Sequence, residues 1–176
     1  MFGFANILSG STFMSERQSF WDFACEVYDN PSVQKVCLEL QNEESLDVNC
    51  LLFCLWIAAS GRGICEDRFW ADLVSKCDLW QKEILAPLRA VRDSLRSKSF
   101  LTQDFSSSEL RTGILEKELV AEKHQILWME SQHSAEIEKH EAFTAEECLQ
   151  AYLDALPFRI TAAGRKKVLS LSTIGF

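Results

Sequence analysis

The chain is poor in helix breakers. Its 176 residues include only three prolines and seven glycines, so few positions force a helix to stop and helical signals dominate. Positive charge is also short: 18 Lys and Arg stand against 26 Asp and Glu, a net charge of −8. That balance argues against nucleic-acid binding through an overall basic field. No apolar run reaches the roughly 18 residues needed to span a bilayer. The apolar segment Met1 to Phe13 has no basic n-region and no cleavage site of the signal-peptide kind. Gly-x-Ser-x-Gly, a phosphate-binding glycine loop and a Rossmann fingerprint are all missing. The sequence therefore supplies no catalytic residue and no cofactor site.

Cysteine is present but unpaired in pattern. Seven cysteines occur, an odd number without a Cys-x-x-Cys pair, and most have apolar neighbours. They read as free, buried thiols of a reducing compartment, so the protein is expected to be cytoplasmic. Cys50 and Cys54 share a helix face at i, i+4. Two ligands without a neighbouring His do not make a zinc site, so core packing is the expectation and no metal is assigned.

What is there is a succession of helices. Ser15 with Gln18 suggests a capping box for a helix over about 16–29 that turns Phe20, Phe23, Ala24, Val27 and Tyr28 to one side, with Trp21 widening the arc. Asn30-Pro31 is an N-cap followed by proline at the first helical position. It opens a helix over about 31–43 with Val33, Val36, Cys37 and Leu40 inward. Asp47 caps the most informative segment, a helix over about 48–60 that is apolar on all sides and must be surrounded by other helices. Burying Leu51, Leu52, Phe53, Leu55, Trp56 and Ile57 contributes on the order of 10 kcal/mol before entropy is subtracted. Gly61 and Gly63 stop it.

A fourth helix starts near Glu66-Asp67. Asp78 is expected to cap a separate helix over about 79–97, with Ile84, Leu88, Val91 and Leu95 as a core stripe and a kink or short break at Pro87. Ser97 to Ser108 reads as a loop. Ser106 or Ser107 then caps a long charged helix over about 108–141, in which Leu115, Leu119, Ile126 and Met129 form a 4-and-3 seam interrupted by Glu122 and continued by His133. Thr144 with Glu147 is a further capping box, for a short helix ending before Pro157. Little regular structure is expected from Phe158 to Phe176.

The expected architecture is all-α: a compact multi-helix bundle around the central helix, with a long charged helix and a short C-terminal helix. Residues 1–14 read as an N-terminal tail, 15–98 as the helical core, 99–107 as a loop, 108–156 as the long and short helices, and 157–176 as a C-terminal tail. Met14-Ser15-Glu16 looks like a natural beginning, which would make residues 1–13 an upstream start or a loose tail.

With these residues in view, the first part of the chain resembles a small, mainly proteobacterial family of uncharacterised helical proteins known only as a domain of unknown function. The resemblance rests on Phe20-Trp21-Asp22-Phe23, Tyr28, Cys37-Leu38-Glu39-Leu40-Gln41, and Leu46-Asp47-Val48-Asn49 followed by Leu51-Leu52-Phe53 and Trp56. It continues through Trp80, Pro87-Leu88-Arg89 and Arg92 to Glu118-Leu119, and so covers about 20–123. It implies a compact helical fold and a cytoplasmic bacterial protein, and it brings no activity, cofactor or catalytic residue.

Candidate binding residues are those whose chemistry is out of place. Asn49 lies one turn into the most apolar helix, and a buried amide left unpaired costs about 1–3 kcal/mol. It either ties the helix to a loop or to Gln41, or anchors a ligand. Arg89, Arg92 and Arg96 share one helix face and either hold a phosphate, a carboxylate or an acidic partner, or pair with Glu116, Glu118 and Glu122. Trp21, Tyr28, Trp56, Trp70 and Trp80 crowd into a small region, as core or as the wall of a pocket. Glu130-x-x-His133, with Glu136 and His140, resembles half of a di-iron motif. The second half is missing, so a solvated charged face is expected. Arg159, Arg165, Lys166 and Lys167 read as a solubilising basic tail. Two functions remain. One is a non-enzymatic interaction or regulatory module with an unknown protein partner or self-association. The other is a helical pocket protein that binds or processes a small apolar or anionic ligand.

Overall fold

The structure, a computed structural model, describes residues 18–61, 67–97, 107–134 and 143–173. Among these it contains eight α-helices and no strand. The all-α expectation therefore holds, and the differences lie in where helices start, how the fourth helix joins the fifth, which faces are buried, and an additional C-terminal helix.

Helix α1 spans Phe20–Tyr28 and is capped by Ser19, whose hydroxyl accepts the Asp22 N–H at 3.1 Å. It begins later than the expected residue 16, because Ser19-x-x-Asp22 caps it inside the anticipated span. Ser15 lies outside the described residues. Helix α2, Pro31–Glu44, has the expected Asn30 cap, which accepts the Ser32 N–H at 3.0 Å. Helix α3, Val48–Ala59, is capped by Asp47, which accepts the Asn49 N–H at 2.9 Å. Every side chain from Val48 to Ile57 is buried, so α3 is the central helix. It stops at Ser60, and Gly61 comes next in the left-handed conformation at φ 65°. Gly63 falls outside the described residues.

Helix α4, Asp67–Trp80, runs straight through Asp78. That residue caps nothing; its carboxylate instead accepts from Lys82 at 2.6 Å. The chain continues without a break through a π-turn, Gln81–Leu85, into helix α5, Ala86–Ser97. Pro87 accounts for this geometry. It has no N–H to offer the preceding turn, and its ring would crowd the carbonyl four residues back. One wide turn, closed by Ala86 N–H to the Gln81 carbonyl, relieves both.

The extra residue in that turn also rotates the faces of α5. The expected stripe of Ile84, Leu88, Val91 and Leu95 is not the core face. Ile84 and Val91 are 37% and 47% exposed, Leu88 and Leu95 are half-buried, and it is Leu85 that is fully enclosed.

Helix α6 spans Ser107–Ser134. Ser107 is its first residue, and its hydroxyl donates to the Leu95 carbonyl of α5 at 3.3 Å. Ser106 and residues 135–142, including Glu136 and His140, lie outside the described residues. Of the expected seam, Ile126 and Met129 are buried while Leu115 and Leu119 are half-buried; Glu118, Glu122, Gln125 and His133 are buried with them. The expected solvated face at His133 is thus a correction: its ring stands edge-on to Trp56 and Phe53, with centroids 5.3 and 6.3 Å away.

Helix α7, Ala145–Asp154, has the complete Thr144/Glu147 capping box. The C-terminal segment is not the irregular tail expected. It forms helix α8, Ala162–Ser170, and a 3-10 turn, Leu171–Thr173. Val168 and Leu171 are buried in the common core. Glu44 at the end of α2 explains why it folds. Its carboxylate accepts from the Thr161 N–H at 3.0 Å and from the Thr161 hydroxyl, at the positive end of α8. Two of its basic residues are tethered: Lys167 reaches Glu39 and Glu43 at 2.9 and 2.8 Å, and Arg165 reaches Gln150 at 2.9 Å.

Candidate functional site

The unusual chemistry of this bundle lies where α3, α5 and α6 meet. Asn49, the one strongly polar residue in the apolar stretch of α3, finds its partner on α6 rather than at Gln41. Its Nδ2 donates to Gln125 Oε1 at 2.9 Å, and Gln125 Nε2 donates in turn to Asp47 Oδ2 at 2.5 Å. Asp47 therefore does two jobs, capping α3 with one oxygen and receiving α6 with the other. Asn49 Oδ1 is buried without a hydrogen-bond partner among the described residues.

One to two turns earlier on α6, a buried ion cluster takes over. Arg89 donates to Glu118 at 3.0 Å, to Glu122 at 2.8 Å and to Gln81 at 3.2 Å, and Arg92 donates to the other oxygen of Glu118. Glu118 and Glu122 are almost completely inaccessible. The π-turn aims both arginines inward. Burial disfavours charge on Arg89, but the two carboxylates outweigh it and hold its pKa above the ordinary value. Burial pushes the Glu122 carboxyl up, against the pull of Arg89. Two cations thus meet two anions, leaving no net charge to attract an anionic ligand. Arg96, the third member of the expected constellation, is exposed and takes no part in this cluster.

The aromatic candidates separate in the same way. Tyr28 and Trp56 are core residues. Trp56 Nε1 donates to the Gln18 carbonyl at 3.0 Å, and burial, with Cys37 and Glu122 nearby, pushes the Tyr28 hydroxyl up to about 12. Trp21 is half-buried with the Lys123 ammonium 4.5 Å from its ring centre. Trp80 donates to the Ala121 carbonyl at 3.2 Å. It also lines a groove of about 320 Å³ between α4 and α6 with Lys76, Cys77, His124, Gln125 and Trp128.

A second cleft, of about 340 Å³, includes Asp47, Cys50, Cys77, Gln81, Arg89 and Tyr152 in its lining. Cys50 and Cys77 are buried thiols, and with Asp47 they place one potential ligand atom each within 4.8 Å of one another. Cys54, the residue that shares a helix face with Cys50, is not part of this group. Six cysteines lie among the described residues, all as free thiols; Cys65 falls outside them.

Sequence reasoning missed Gln125 and Cys77. Gln125 had a legible signal: Glu118, Glu122, Gln125 and Met129 succeed one another at 4, 3 and 4, so a polar stripe continues the buried seam. Cys77 had none, since only the packing of α4 brings it to the start of α3.

The fold and this seam define an all-α bundle with a buried polar core. Residues 19–129 match the family described as "Protein of unknown function (DUF2390)", and the chain belongs to that family. The match spans α1 through most of α6, and so contains the whole polar seam. No curated protein and no solved structure matches the chain.

Proposed function

We propose that this protein is a cytoplasmic, non-enzymatic interaction module whose docking element is the arm formed by the outer turns of α5 and α6. One observation carries the reading. From Ala86 to Arg96 and from Ser107 to Lys117 no described side chain is fully buried, although Leu88, Val91, Leu95, Leu110, Ile114 and Leu115 are apolar. The two segments pack chiefly on each other, with Val91 and Leu110 each 47% exposed. An amphipathic helix from a partner protein would complete the arm as a three-helix layer and remove that apolar surface from water. Glu109, Lys117 and Arg96 at its edge would set the partner's orientation more than the affinity. The free thiols support a reducing compartment. No helix of the described residues is long and apolar enough to cross a membrane.

The test is native mass spectrometry of protein isolated from its own host, alongside Val91→Asp and Leu110→Asp. The expected result is a protein partner that both substitutions remove without changing the melting temperature. A partner that survives both substitutions would overturn the arm.

A second reading, a pocket for a small ligand, is favoured by the groove that Trp80 and Trp128 line, with Lys76 at its edge and Gln125 in its wall. Two indoles suit a flat apolar molecule, and the ammonium suits an acidic group on it. A co-purifying small molecule in place of a protein would shift the assignment to this reading.

A further inference from the structure

We propose that Asp47, Cys50 and Cys77 form a binding site for a zinc ion whose fourth coordination position opens into the cleft in front of them. This goes beyond the docking arm and does not depend on it. Asp47 is the cap of α3 and Cys50 lies three residues later, so both side chains project from the same side of the first turn. Cys77 arrives from the last turn of α4. One donor atom from each lies within 4.8 Å of the others. In a tetrahedral zinc site, bond lengths of roughly 2.3 Å to sulfur and 2.1 Å to oxygen set the donors about 3.6–3.8 Å apart. The three groups therefore need to close by about 1.2 Å at most, a rotamer adjustment and not a rearrangement of helices.

The donor set selects the metal. Two thiolates favour a soft or borderline-soft ion over magnesium or calcium, and a carboxylate beside them suits zinc. Three protein ligands leave one position for water. The cleft, lined also by Gln81, Asp78 and Arg89, gives the ion a route in and that water a place to sit.

The surroundings already hold the carboxylate as an outer shell would. Asn49 N–H donates to Oδ1 and Gln125 Nε2 to Oδ2, which leaves each oxygen a lone pair for coordination. Without an ion the Cys50–Cys77 hydrogen bond and burial push the Cys50 pKa well above its ordinary value. Binding releases the two thiol protons and converts the group to two thiolates and a carboxylate around the dication.

The experiment uses the full chain purified without a histidine tag, stripped with a chelator, and titrated with Zn²⁺ or Co²⁺. One metal ion per chain is expected, with a thiolate-to-cobalt charge-transfer band and a melting temperature that rises with Zn²⁺. Asp47→Asn keeps a good N-cap and should lower zinc affinity at least tenfold. Cys77→Ala should abolish the charge-transfer band while the circular dichroism stays helical. Failure of the stripped chain to take up Zn²⁺, uptake unchanged in both variants, or a Cys50–Cys77 disulfide in protein isolated without reductant would each overturn the site.

Discussion

Replacing Arg89 by Met isolates what the buried ion cluster contributes. Glu118 keeps Arg92, but Glu122 loses the only partner it has among the described residues, since its Oε2 is already unpaired. A buried carboxylate in that position has two options. It stays charged, at a typical cost of about 3–5 kcal/mol for a broken buried pair. Or it takes up a proton, which for an ordinary glutamate at pH 7 costs about 1.4 × 2.7, or roughly 4 kcal/mol.

The cheaper route sets the loss at about 3–4 kcal/mol at pH 7, equivalent to a drop of about 6–16 °C in melting temperature for a chain of this size. The sign with pH is set by protonation. In the variant the folded-state pKa of Glu122 lies above its unfolded value, so the folded state binds the extra proton. The penalty is absent below the unfolded pKa and grows as pH rises toward the folded one. By protonation alone it shrinks to about 1 kcal/mol at pH 5. Urea unfolding at several pH values measures this, and adding Glu122→Gln should recover at least half of the loss at pH 7. A cost below about 1 kcal/mol, the range of an exposed pair, or a cost that does not change with pH, would refute the reasoning.

Three other outcomes are expected. Asn49→Leu strands Gln125 Oε1 and should cost about 1–3 kcal/mol in the same unfolding assay, with no loss of helical signal under native conditions. Gly164→Ala places a Cβ 2.3 Å from Glu44 Oε1 and 2.8 Å from its Cγ. Glu44 must then leave the start of α8, at a cost of about 1–2 kcal/mol, read as faster hydrogen exchange over 161–171 with α3 unaffected. Finally, hydrogen bonds from Lys167 and Thr161 hold the Glu39 and Glu44 carboxyls below their ordinary value of 4.5. Their contribution is complete above that value and is lost as pH falls through the lowered folded pKa, so hydrogen exchange should show α8 loosening in acid before the central helix.

Local chemistry made much of this fold legible. Asn30-Pro31, Asp47 and Thr144-x-x-Glu147 marked their helix starts, because a cap is written in three or four adjacent residues. The apolar run of α3 announced its own burial. The resemblance anticipated over about 20–123 agrees with the family match over 19–129. What stayed hidden depended on phase and on distant partners. A regular helix through 79–97 places Ile84 and Val91 inside, whereas one added residue in the π-turn turns Leu85, Arg89 and Arg92 inward instead. The sequence offers Glu118 and Glu122 as partners for the arginines and His133 to the seam, yet the depth of their burial is not written locally, because α5 and α3, which cover them, lie far away in the chain. The tail looked irregular because the carboxylate that starts α8 is supplied by Glu44.

The amide of Asn49 has a consequence for how the central helix is seated. A cylinder that is apolar on every side packs almost equally well after a rotation or a slide of one turn, since oil against oil has little directional preference. Helices α3 and α6 lie parallel, as Asn49 meets Gln125 near one end and Trp56 meets His133 near the other. Sliding α3 by one turn would set the amide among hydrocarbon and pull Asp47 away from Gln125. The polar pair thus works as a locating pin: burial supplies the affinity of α3 for its neighbours, and one amide tells it where to stop.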